Sequence, residues 1–267
     1  MELRRLASAD EIARVAAGEV ADAAREAQRA RGRFGLALAG GDTPRRLYGQ
    51  LATASAEGAR SEPKASEGGP PQGWARVDWS RAELFFGDER AVGPEDAQSN
   101  YRMVRESLLA PAGIDARRVH RIFAERRDLD AAARDYEALL ARVLGGEPGG
   151  PPPQLDLVLL GMGADGHTAS LFPHSPALKE QERWVVPNEA PGLGRRITLT
   201  FPLILRARRL IVLVSGESKA AALALVLEGP RDSEHLPAQR LAQAKQALWL
   251  VDGAAASRLG ETPRSTP

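Results

Sequence analysis

A chain of 267 residues, 43% hydrophobic and 27% charged, is long enough for one large α/β domain or two small ones. Its formal net charge of +1 supplies no global field toward nucleic acid or an anionic membrane, and its lack of cysteine excludes disulfides, thiolate metal sites and a cysteine nucleophile. The opening MELRRLASADEIARVAAGEV has no long apolar core of a secretory signal, and the longest apolar runs, such as LIVLV at 210–214, are too short to span a bilayer. A cytoplasmic protein, without a nucleic-acid or membrane partner, is the expectation.

The N-terminal segment predicts a helix. Ser8 or Asp10 can cap it, and Ile12, Val15, Ala16 and Val20 recur at helical spacing. RFGLALAGG then reads as a short apolar strand ending in two glycines, and TPRRLYGQLA as a helix with Pro44 near its start. Residues 55–73, SAEGARSEPKASEGGPPQG, predict a flexible insertion that interrupts one domain spanning 1–260. AELFFGDER is a second apolar strand with a polar tip. DAQSNYRMVRESLLA turns helical after its start. DLDAAARDYEALLARVL is amphipathic, with Leu129, Ala132, Ala133, Tyr136, Leu140 and Val143 on one face. GGEPGGPPPQ is a loop before the strand LDLVLLG and the turn GMGADGHTASLFP. RRITLTFPLILRARRLIVLVSG holds a strand, a helix-like stretch over 202–207 and the strand LIVLV. ESKAAALALVLEG predicts a helix, QALWLVDGAAASRL a last strand and helix, and 261–267 a disordered tail.

Strands that are continuous apolar runs alternate with helices. The fold class is therefore α/β, with a mostly parallel sheet covered by helices on both faces. In such sheets ligands bind outside the carboxyl ends of the strands. Four polar tips fall at such ends, at Gly40–Thr43, Gly87–Arg90, Gly161–His167 and Ser215–Lys219. One site built from four loops is the economical reading.

Each tip has its own chemistry. In AGGDTP, two glycines let backbone N–H groups turn toward a ligand, and Thr43 adds a hydroxyl at a helix N-terminus, which suits an anion. Taken alone, this motif reads rather as a tight turn with a capping Asp or Thr, and its spacing matches neither the P-loop nor the dinucleotide loop. In FFGDER, the planar fork of Arg90 suits a phosphate, and Asp88 or Glu89 suits a sugar hydroxyl or acid–base work. The alternative is a surface salt-bridge cluster. GMGADGHTASLFP is the sharpest signal: Asp165 and His167 lie two apart in a glycine frame whose entropic cost has no packing reason. A histidine titrating near neutrality suits a general base. His174, in FPHSP, is a rival that looks like an ordinary surface turn. Arg195, Arg196 and Lys219 complete a plausible phosphate cradle, each with a solvated surface charge as its alternative. No metal-ligand spacing, nucleophile elbow or stacking platform is present. The residues point to a phosphate anchor plus one histidine base, with no metal and no redox cofactor.

LALAGGDTPRRLY, LFFGDERAVGPEDAQSNYRMV, DLVLLGMGADGHTASLFP and RRITLTFPLILRARRLIVLVSGESKA, in this order, resemble the glucosamine-6-phosphate isomerase/6-phosphogluconolactonase family, and within it the lactonases of the pentose phosphate pathway. The resemblance covers about 10–255, apart from the insertion. It implies a fold similar to glucosamine-6-phosphate deaminase and ribose-5-phosphate isomerase. It implies hydrolysis of 6-phospho-D-glucono-1,5-lactone to 6-phospho-D-gluconate without a cofactor, with the sugar-phosphate lactone as small-molecule partner. It places the catalytic histidine at His167 and phosphate contacts at Gly40, Gly41, Thr43, Arg90, Arg196 and Lys219; Asp165, two residues before the histidine, is the candidate to orient it or to stabilise its charged form. Backbone N–H groups of the glycine turn are the expected oxyanion donors. Asp42 departs from relatives and is expected to point away from a phosphate. A monomer or weak homo-oligomer is expected. The rivals are an isomerase or deaminase on the same fold, whose GHIAFNEP pattern contrasts with GHTASLFP here, and a non-enzymatic sugar-phosphate sensor.

Overall fold

The protein was analysed as a computed structural model that describes residues 1–58, 77–147, 150–190 and 192–260. Most of the expected insertion at 55–73, and the whole tail 261–267, lie outside the described residues.

The chain runs β1 (Glu2–Leu6), α1 (Ala9–Arg31), β2 (Phe34–Leu38), α2 (Asp42–Gly58), β3 (Ala82–Phe86), β4 (Asp88–Arg90), α3 (Asn100–Val104), β5 (Val119–His120), α4 (Leu129–Leu144) and β6 (Leu157–Gly161). It continues through β7 (Val185–Ala190), β8 (Gly194–Leu199), α5 (Phe201–Ile204), β9 (Arg209–Val214), α6 (Ala220–Glu228), α7 (Gln239–Ala242) and β10 (Ala247–Asp252). Local chemistry sets the longest helix. The Ser8 hydroxyl accepts the Glu11 N–H at 3.2 Å at the start of α1, and Gly32 ends it at φ 74°. Its apolar stripe, Ile12, Ala16, Val20, Ala24 and Ala27, is fully buried.

Seven strands form a parallel sheet in the order β1-β10-β9-β6-β2-β3-β5. From β2 the chain winds outward to β3 and β5. It then returns past β2 to β6 and winds the other way to β9 and β10. Right-handed crossovers in opposite directions put α1 and α2 on one face and α4 and α6 on the other. The boundary between β2 and β6 is therefore the topological switch point, where the loops diverge and leave a crevice.

Three features differ from the sequence expectation. The first helix is preceded by β1, an edge strand whose two leucines are separated by two arginines, which leaves it half exposed and without a continuous apolar run. Beyond β3, the polar tip is itself a strand: β4, β8 and β7 form a separate antiparallel sheet. RRITLT belongs to that small sheet rather than to the parallel one. The expected last helix after β10 is a series of turns over 253–259. Among the described residues, no helix is long and apolar enough to cross a membrane.

Candidate active site

The switch point opens into a cavity of about 270 Å³. Gly40 and Gly41 from the β2 tip, Arg90 from β4, Gly161, Met162, Gly163 and His167 from the β6 tip, Arg196 from β8 and Lys219 from the β9 tip all reach it. Six of the eight expected side chains and turns thus line one space: Gly40, Gly41, Arg90, His167, Arg196 and Lys219. Asp165 touches His167 from behind. Thr43 sits half-buried in the first turn of α2, outside the lining. Asp42 is exposed at the first position of α2, where the helix dipole favours an acid, and it does not face the cavity.

The glycine turn holds the imidazole from three sides. Nδ1 of His167 lies 2.6 Å from Oδ1 of Asp165, which also accepts the His167 backbone N–H at 3.1 Å. An ionised carboxylate only accepts, so Nδ1 carries the hydrogen, and in the neutral tautomer Nε2 holds the lone pair. Burial works to raise the Asp165 pKa, but the hydrogen bond from His167 and its charge outweigh that, and the carboxyl is held below its ordinary range. The Phe172 ring, almost fully buried, packs at 4.5 Å between centroids on the imidazole. Gly163 passes beneath. A Cβ there would stand 2.1 Å from Nδ1 of His167 and 2.4 Å from Oδ1 of Asp165, so any other residue would displace the pair. The turn is closed by Gly163 N–H to His167 O at 2.8 Å and Gly166 N–H to Gly163 O at 3.1 Å. These two amides are therefore engaged within the turn, and the expectation that the glycine amides serve as oxyanion donors does not hold for them.

Across the cavity stand the cations. Arg90 and Arg196 are direct partners in the β4–β8 register. Arg196 is 8% exposed, and the Nε atoms of both arginines are buried without a hydrogen-bond partner among the described residues. Burial first, and the neighbouring Arg90 charge second, lower the Arg196 pKa, against the pull of Asp88 and Glu89. Lys219 is half-buried at the N-terminus of α6.

Two acids support this wall, and Asp88 itself lines the cavity. Asp88 is buried, accepting the Ser170 hydroxyl at 2.5 Å and the Asn100 amide at 3.1 Å. Glu89 accepts the backbone N–H groups of Arg90, Asn100 and Tyr101, each at 2.8 Å. It thereby ties β4 to the start of α3. Burial raises the Glu89 pKa, and those three N–H bonds hold it back. Asn100 in turn fills the space that a Cβ at Gly40 would need, 2.0 Å from its Oδ1. That glycine is required by close approach rather than by its dihedrals.

Sequence reasoning had weighed Asp88 but not Asn100 or Phe172 as cavity residues. The SNY that follows GDER was the available signal for Asn100; Phe172 is placed by tertiary contact alone. The other three histidines lie elsewhere. His120 contacts Glu83 at 2.7 Å and stacks on Phe85. His174 and His235 meet edge to face at 4.2 Å on the exposed surface. Among the described residues, no group of His, Asp or Glu could hold a metal ion.

Known proteins share this arrangement of chain. A 6-phosphogluconolactonase of Mycobacterium tuberculosis is 43% identical over 193 residues, covering 69% of this chain and 76% of its own. A 6-phosphogluconolactonase of Nostoc is 35% identical over 228 residues, 85% of either chain. The solved 6-phosphogluconolactonase from Trypanosoma cruzi superposes with a TM-score of 0.79 at 27% identity, covering 97% of both chains. A monomeric glucosamine-6-phosphate deaminase has the same fold, with a TM-score of 0.77 at 23% identity. The family described as glucosamine-6-phosphate isomerases/6-phosphogluconolactonase matches residues 7–249, and the chain belongs to it.

Proposed function

We propose that this chain hydrolyses 6-phospho-D-glucono-1,5-lactone to 6-phospho-D-gluconate, with His167 as general base and Arg90, Arg196 and Lys219 as the phosphate anchor. One observation carries this reading. The imidazole nitrogen left unbonded by Asp165 and three cations that, among the described residues, pair with no carboxylate open on the same cavity. The curated relatives named 6-phosphogluconolactonase support the choice of substrate.

The phosphate docks against the cationic wall and the Gly40–Gly41 turn. This fixes the sugar ring and uses binding energy remote from the reacting carbon to orient it. Nε2 of His167 takes a proton from water, and the hydroxide oxygen adds to the lactone carbonyl carbon. When the tetrahedral intermediate collapses, the bond from that carbon to the ring oxygen breaks. The imidazolium returns its proton to the departing ring oxygen. The new carboxylic acid then ionises and releases one proton to solvent. Asp165 stabilises the imidazolium and holds the tautomer with Nε2 unprotonated. The reading calls on no cofactor.

Proton release from freshly made 6-phosphogluconolactone, corrected for spontaneous opening, tests the proposal, with gluconolactone as the control. Fast turnover of the phosphorylated lactone alone is expected. No acceleration above background would overturn the reading, and ammonia release from glucosamine 6-phosphate would then be measured.

A further inference from the structure

We propose that Asp252, at the carboxyl end of β10, is a positioning residue that aims Lys219 at the bound anion; this rests on the phosphate-anchor reading above. The register makes the contact. Val251 of β10 lies opposite Val214 of β9, so the next residues, Asp252 and Ser215, come side by side where both strands end. The Asp252 carboxylate accepts the Ser215 hydroxyl, the Gly216 N–H at 3.1 Å to each oxygen, and the Ala255 N–H at 2.7 Å. Gly216 takes φ 95°, open to glycine at little cost, and its carbonyl accepts the Lys219 N–H at 3.1 Å. Only two residues, Glu217 and Ser218, separate Gly216 from Lys219. Fixing the former therefore fixes where the latter leaves the sheet and enters the cavity.

The manner of the contact matters. Asp252 is buried, and among the described residues every side-chain hydrogen bond that it accepts comes from a neutral donor. It spends its charge on the loop's backbone, so the Lys219 ammonium is not neutralised by the acid that positions it. Glu89 treats Arg90 in the same way, through the backbone N–H and not the guanidinium. A carboxylate acting only as a cap for the turn at 253–256 would need the Ala255 contact but not the two bonds to Ser215 and Gly216.

The test compares Asp252→Asn, Ser215→Ala and Lys219→Ala on phosphorylated and unphosphorylated lactone, with inorganic phosphate binding measured by calorimetry. An amide places an N–H where Gly216 donates, so Asp252→Asn loosens the loop. The ratio of kcat/KM for the phosphorylated over the unphosphorylated lactone is expected to fall about tenfold in Asp252→Asn and less in Ser215→Ala. Combining Asp252→Asn with Lys219→Ala should add little to Lys219→Ala alone, because both act through one ammonium. Equal losses on both lactones, or losses that simply add, would overturn the proposal. Weaker phosphate binding in Lys219→Ala with none in Asp252→Asn would sink the positioning role and leave the anchor standing. Unchanged phosphate binding in Lys219→Ala would remove both. Ser215→Ala, which deletes one hydroxyl from a half-buried site, keeps the question answerable if Asp252→Asn does not fold.

Discussion

Arginines gather at both ends of the parallel sheet, and the two ends treat them differently. At the amino ends, Arg31 donates to buried Asp156 at 2.9 and 3.0 Å, and Arg208 lies 3.5 Å from the same carboxylate. Arg209 pairs with Glu26 at 2.6 Å, and Arg33 donates to the Val143 carbonyl at 2.8 Å. At the carboxyl ends, Arg90 and Arg196 keep buried Nε atoms without partners among the described residues, and the nearby acids Asp88 and Glu89 bond to neutral groups instead. In sequence, the Arg-Arg pairs at 195–196 and 208–209 look alike. The two ends differ in how carboxylates are placed: Arg31, Arg208 and Arg209 each face one directly. At the carboxyl end the acids are present but turned to the backbone.

This contrast can be broken by substitution, because the carboxyl end should cost activity and the amino end stability. The largest effect is expected at the base. His167→Ala should lower kcat on the phosphorylated lactone by about 10²- to 10⁴-fold with an unchanged melting temperature. Near-normal turnover in steady-state kinetics would refute the assignment. Next, Arg196→Ala should raise KM by about 10- to 100-fold, the loss of charge-assisted hydrogen bonds of roughly 1.5–3 kcal/mol. Arg208→Ala should leave KM where it was, and a matching rise there would erase the distinction between the two ends. Asp156→Ala should do the reverse. It strips the Gly35 N–H of its acceptor at 2.8 Å in a buried site, so urea denaturation should report a loss of about 1–3 kcal/mol while kinetics hold.

The smallest expected effect is a pH dependence. Burial works to raise the Asp252 pKa, but bonds from Ser215 and from the amides of Ala255 and Gly216 outweigh it and hold the carboxyl below its ordinary 3.8. A depressed acid stabilises the fold above its unfolded value, and that contribution drains away as pH falls through the lower, folded one. The melting temperature of the parent should therefore drop more steeply than that of Asp252→Asn as pH is lowered through 3.8 and below. Parallel slopes would mean that this carboxylate contributes nothing through its charge.

Much of the architecture could be read from apolar runs and glycine punctuation. RFGLAL, AELFF, LDLVLLG, LIVLV and QALWLV each contain a strand of the parallel sheet, and four of the five end at tips or contacts of the cavity. The exceptions have physical reasons. Glu2–Leu6 is a half-exposed edge strand and lacks the apolar signature. Val185–Ala190 carries Pro187, Asn188 and Glu189, which read as a loop until β8 pairs with it. For the site, the tips were legible because glycine and charge at the end of an apolar run are local signals. Phe172, Asn100 and Asp252 were not. Phe172 belongs to the motif block but shows its role only where its ring meets His167, Asn100 only where it fills the space above Gly40, and Asp252 only through the register of β9 and β10.

One pairing in the small sheet reaches further. Arg90 and Arg196 stand directly opposite each other on antiparallel strands, an arrangement in which like charges repel. The folded chain therefore holds electrostatic work that an anion between the two guanidiniums would release. Ligand-linked stability follows: a dianion that binds only the folded form raises the melting temperature by mass action, and this pair should make the gain depend on anion charge as well as on affinity. Melting the protein in phosphate and in chloride at equal ionic strength would read that work directly, without any catalytic turnover.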